Sequence, residues 1–111
     1  MKRTTDILAI RHGETQWNAE GRYQGQADVA LNDAGFAQAR RIAAAFAAAP
    51  IEAIYSSDLA RAYQTAVELA QAHAAPLVSV ADLREQHYGV FQGMTGSDIA
   101  QRWPEASARW H

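Results

Sequence analysis

Asp6-Ile7-Leu8-Ala9-Ile10-Arg11-His12-Gly13-Glu14-Thr15 sets four apolar residues directly before an arginine, a histidine and a glycine. A short apolar run that ends abruptly in polar residues reads as a strand buried on both faces, so a strand is predicted over 6–10. Two further runs of this kind follow, Ile51 to Tyr55 and Leu77 to Val80. Helical patterns lie between them. Asn32 or Asp33 caps a helix reaching about Ala48, which Pro50 stops, with Phe36, Ala39, Ala43 and Phe46 on one face. Ser56, Ser57 and Asp58 supply capping oxygens for a second helix to about Ala74, with Leu59, Ala62, Ala66 and Leu69 as its buried stripe. Glu14 to Asp33 reads as a long irregular loop or a helix start followed by loop, Asp82 to Thr95 as a second long loop, and Ser97 caps a short helix reaching Trp103. Strands alternating with helices imply an α/β fold, a layered α/β/α arrangement on a mainly parallel sheet. Arg11, His12 and Gly13, and then Ser56 to Arg61, fall at carboxyl ends of strands, the rim where such sheets bind ligands.

Composition narrows the function. A chain of 111 residues, 49% of them hydrophobic, makes one domain at most and argues against disorder. Alanine supplies 25 of those residues and fills little volume, so packing rests on scattered Leu, Ile, Val and aromatic side chains. The formal net charge of −2 gives no field that draws nucleic acid or an anionic membrane. Nine of the ten basic residues are arginine, whose planar fork grips phosphate or carboxylate with two hydrogen bonds. There is no cysteine, which removes disulfides, thiol nucleophiles and cysteine–zinc sites. The apolar run before Arg11 is too short for a signal peptide or a membrane span, so the default expectation is a cytoplasmic protein.

A histidine at a strand end can be a nucleophile, a base or a metal ligand. The neighbours of His12 favour the first. Arg11 repels divalent cations and attracts an anion, Gly13 lets backbone approach a ligand, and Thr15 and Asn18 add uncharged donors. A phosphoryl group brought to the imidazole meets opposite charge, donors and room. The competing reading is a salt-bridged arginine beside a core histidine.

Arg-His-Gly-Glu-Thr over 11–15, followed by Asn18, resembles the hallmark of the histidine phosphatase superfamily in its phosphoglycerate-mutase-like branch. Three further blocks resemble that family in order along the chain: Gly21 to Gly25 with Asp28, Leu31 and Gly35; Tyr55 to Ala66; and Leu83 to Gly89 with Gln92 and Gly93. The resemblance implies phosphoryl transfer through a phosphohistidine. His12 would attack phosphorus with one ring nitrogen while a backbone acceptor fixes the other. Arg11 and Arg61 would clamp the non-bridging oxygens, Asn18 would add a donor, and Glu85 would protonate the leaving oxygen. Gln24, Gly25 and Tyr88 are further candidates for the pocket wall. No metal or cofactor is called for, since the arginines supply the charge that a cation supplies elsewhere. His73, His87 and His111, and Trp17, Trp103 and Trp110, read as exposed, packing or terminal residues.

Family members run longer and carry a second histidine in a late His-Gly block, which has no counterpart here. The chain therefore looks like the N-terminal part of a single domain, residues 1–111, with an incomplete sheet. An open edge and an uncovered apolar face favour association, a homodimer being the simplest form. Losing one donor from the anion pocket commonly costs about 2.7–4 kcal/mol of transition-state stabilisation, so little activity is expected of this chain alone. The leading reading is a phosphomonoester hydrolase acting on a small phosphorylated metabolite. Two alternatives stand beside it. One is a cofactor-dependent phosphoglycerate mutase, disfavoured because Gly96 stands where mutases of the family carry lysine. The other is a non-catalytic module that binds phosphoryl ligands.

Overall fold

The computed structural model describes residues 6–85, 89 and 92–105. A short helix α1 (Gln16–Ala19) precedes a long one, α2 (Asp33–Ala45). Strand β1 (Ile54–Ser56), helix α3 (Ala60–His73) and strand β2 (Leu77–Ser79) then form a β-α-β unit. A single 3₁₀ turn over Ala81–Leu83 and helix α4 (Gly96–Arg102) follow. The strands pair in parallel, Ile54 opposite Leu77, Tyr55 opposite Val78 and Ser56 opposite Ser79. The architecture is α/β, as the alternating pattern implies.

The core lies where α2 meets α3 and where α3 covers the sheet. Ala39 and Ala43 from α2 are buried, as are Leu59, Ala66 and Leu69 at and along α3. Small residues on α2 let the helix axes approach closely. Asn32 caps α2 by accepting from the Gly35 amide at 2.8 Å, as its position before the apolar stripe suggests.

Four expectations are corrected. The strand over 6–10 does not form, and Ile7 and Leu8 are 89% and 51% exposed. A strand exists only through a neighbour's N–H and C=O groups, and none among the described residues pairs with this run. Ser56, Ser57 and Asp58 do not cap α3. Its N-cap, Leu59, has no side-chain bond, and Asp28 reaches in from the preceding loop to accept from the Ala60 amide at 2.6 Å. Helix α4 is capped by Thr95, not Ser97, through reciprocal bonds with Asp98. His73 is half-buried, with its Nε2 enclosed and without a partner, where an exposed ring was expected.

The long loop after His12 is ordered by distant partners. Thr15 caps α1 and pairs with Leu31, while Tyr23 exchanges backbone bonds with Gly93 and Met94. These bonds fold residues 20–31 back over the start of α3, which is where the candidate site lies. Among the described residues, no helix is long and apolar enough to cross a membrane.

Candidate active site

His12 follows the apolar run at 7–10, and one backbone bond holds its ring. Nδ1 donates to the Gly13 carbonyl at 2.6 Å, which leaves Nε2 as the nitrogen with the lone pair. The loop carrying it cannot drift. A Cβ at Gly13 would stand 2.4 Å from the Gly35 carbonyl oxygen, and one at Gly35 would stand 2.1 Å from that of Glu14. Residues 13–14 therefore lie backbone to backbone against the first turn of α2. Gly13 thus serves close approach to α2, where its sequence context suggested close approach to a ligand.

Burial lowers the pKa of His12, and the charges of Arg61 and Arg11 lower it further. The Gly13 carbonyl and Glu85 pull the other way. The ring therefore stays neutral to lower pH than a free imidazole. All three charged side chains that the sequence singled out act electrostatically on this one ring.

Arg61 is 1% exposed, far from a solvated helix arginine. Its guanidinium donates to the carbonyls of Gly25 and Ala27 and lies 3.4 Å from a Glu85 carboxylate oxygen. A cation in the first turn of a helix opposes the helix dipole, and these acceptors offset that cost. Gly25, with φ of +54°, bends the loop so that its carbonyl meets Arg61. A guanidinium carries five N–H groups and these contacts take three of them, so two remain to meet an anion.

Arg11, His12, Gly13, Glu14, Asn18 and Gln38 line a cavity of about 210 Å³. At about 30 Å³ per water, that is room for roughly seven waters or one phosphoryl group. Arg11 is exposed and makes no hydrogen bond among the described residues. Asn18 spends its carbonyl oxygen on the Thr15 amide, leaving its NH₂ to donate. Thr15, read as a ligand donor, is instead fully buried and binds Asn18 and Gln24. An open groove of about 430 Å³ adjoins Arg11 and His12 along α2, past Arg41, Ile42 and Phe46.

The structure thus brings His12, Arg11 and Asn18 to one cavity and sets Arg61 and Glu85 within electrostatic reach of the ring. Gln24 and Gly25 are scaffold, the first buried beneath Thr15 and the second bound to Arg61 through its carbonyl. Tyr88 lies outside the described residues. Sequence reasoning missed three participants. Gln38 accepts from the Glu14 amide and lines the cavity, Asp28 caps α3, and Thr65 bonds both Gly13 and Arg61. Thr65 had one visible signal, a polar residue one turn after Arg61 on a helix face that is otherwise apolar.

Comparison with known proteins identifies the family. The family model of the histidine phosphatase superfamily (branch 1) matches residues 7–111. A metal-independent phosphoserine phosphatase of Arabidopsis thaliana is 45% identical over 105 residues, covering 92% of this chain and 44% of its own length. A glucosyl-3-phosphoglycerate phosphatase of Mycolicibacterium vanbaalenii is 40% identical, covering 97% of this chain and 48% of its own. The structure of a mycobacterial glucosyl-3-phosphoglycerate phosphatase complexed with VO3 superposes with a TM-score of 0.84 at 38% identity, covering 89% of this chain and 47% of that one. The chain therefore spans about half the length of these relatives. On a family match that spans residues 7–111, this chain belongs to the histidine phosphatase superfamily.

Proposed function

We propose that this chain carries the nucleophilic and anion-binding part of a phosphomonoester hydrolase that works through a phosphohistidine. The observation that carries the reading is the Nδ1–Gly13 bond, which directs the free lone pair of Nε2 to attack. Nε2 forms a bond to phosphorus as the P–O bond to the leaving alcohol breaks, and Glu85 delivers a proton to that oxygen. Water then attacks the phosphohistidine, its proton passing to the Glu85 carboxylate as the P–N bond breaks, which restores the neutral ring and the acid. Arg11 and Arg61 balance the charge of the non-bridging oxygens, and Asn18 donates to one of them. Glu85 rests on Arg61, so an incoming phosphate competes with it for that guanidinium.

The substrate class is a small phosphorylated metabolite. Relatives named for phosphoserine and for glucosyl-3-phosphoglycerate support that class. The mycobacterial neighbour in complex with VO3, an oxyanion, supports an oxyanion site.

The test is p-nitrophenyl phosphate with the wild-type chain and His12→Gln. The expected result is slow p-nitrophenolate release that His12→Gln lowers to the uncatalysed background. Release unchanged in His12→Gln would contradict the reading. Saturable phosphate binding with no release would turn it toward a binding module.

A further inference from the structure

Thr65 is 4% exposed, in the middle of α3, and its hydroxyl makes two bonds. Its single proton goes to the Arg61 carbonyl at 2.8 Å, which leaves its lone pairs to accept from the Gly13 amide at 3.0 Å. The Gly13 carbonyl then accepts from Nδ1 of His12. Three hydrogen bonds in series thus run from the backbone of Arg61 to the imidazole.

The geometry points to Thr65 as a positioning residue that sets the ring of His12 against the guanidinium of Arg61 by holding the backbone of Gly13. Packing does not account for it. Valine fills the same volume, and a hydroxyl bonded back to its own helix gives the helix nothing. The gain from the oxygen is the bond to Gly13, 52 residues away in sequence. Gly35 limits how near the loop comes to α2, Thr65 anchors the peptide between His12 and Gly13, and Gln38 anchors the next one through the Glu14 amide. With the preceding peptide fixed on Thr65, the backbone leaves the Gly13 Cα in the direction that brings its carbonyl to Nδ1, which decides which nitrogen is left to attack. The inference rests on the phosphoryl-transfer reading only for what the ring does, since the way it is held is independent of turnover.

The experiment compares Thr65→Val and Thr65→Ser with the wild type by ¹⁵N NMR of the His12 ring, at a pH where it is neutral. Wild type and Thr65→Ser are expected to hold the tautomer protonated at Nδ1, and Thr65→Val to mix the two tautomers. The rate of p-nitrophenolate release is expected to fall roughly 10- to 100-fold in Thr65→Val, as for a misplaced reacting group, with KM little changed. Thr65→Ser is expected to retain it. A folded Thr65→Val with an unmixed ring overturns the inference, and so does Thr65→Ser with a mixed one. Should Thr65→Val not fold, hydrogen exchange in the wild type decides, because a Gly13 amide exchanging as fast as a free peptide also overturns it. A mixed ring in Thr65→Val with no His12-dependent release in any form sinks the hydrolase reading and leaves this one standing.

Discussion

His12 is tuned by where it sits more than by any single partner. Burial and the charges of Arg61 and Arg11 depress its pKa, so the unfolded chain takes up a proton near the ordinary imidazole value of about 6.5 while the folded chain resists until lower pH. Between those two values the unfolded state binds more protons. The contribution of His12 to stability is therefore complete above about pH 6.5 and declines as pH falls through that window. An NMR titration should place the His12 midpoint below the ordinary value, and Arg11→Ala should move it up. A midpoint at the ordinary value, unmoved by Arg11→Ala, would separate the arginine from the ring. The same depression keeps the nucleophile unprotonated in mildly acidic solution, so His12-dependent release should persist there.

Helix α3 shows what local sequence conveys and what it does not. Its apolar stripe was legible because Leu59, Ala66 and Leu69 recur with the helical period, and α2 was legible from Asn32 and the alanines behind it. Its cap was not legible. The acceptor for the Ala60 amide is Asp28, 32 residues upstream, and no local pattern encodes that bond. The strand expected at 6–10 failed for the same reason, since pairing depends on a partner elsewhere in the chain. The site divides likewise. His12, Arg11 and Arg61 stood out because charge and imidazole are unusual at strand ends and helix starts, whereas Thr65 and Gln38 act through bonds across the fold. Asp28→Ala should cost about 1 kcal/mol of stability, the usual loss on removing a helix cap. It should also loosen the turn that carries Arg61, which thermal or urea unfolding together with phosphate affinity would reveal. Unchanged values of both would show that solvent caps α3 equally well.

Among the described residues, several large apolar side chains are left uncovered. Tyr55 and Val78, paired across the two strands, lie side by side on the sheet and are 64% and 42% exposed. Ile7 and Leu8 add to that exposure. The radius of gyration is 16.7 Å, against about 13 Å for a compact domain of 100 residues. An apolar face of this kind seeks a cover, and a second copy of the chain is one that is always present. Sedimentation should show a species that grows with concentration, and Val78→Lys should shift it toward monomer. A single monomeric boundary at every concentration would remove self-association from the description. The bonds that link His12 to Arg61 through Gly13 and Thr65 involve no residue of that face.

The decisive measurement is the identity of the atom that receives phosphorus. The ¹⁵N-histidine-labelled protein, quenched in base during reaction with a phosphate ester, can be read by ³¹P–¹⁵N coupling. The expected result is an acid-labile, base-stable phosphoramidate on Nε2 of His12, the nitrogen that the Gly13 carbonyl leaves free. Phosphorus on Nδ1, on another residue, or on no residue while turnover proceeds would contradict it.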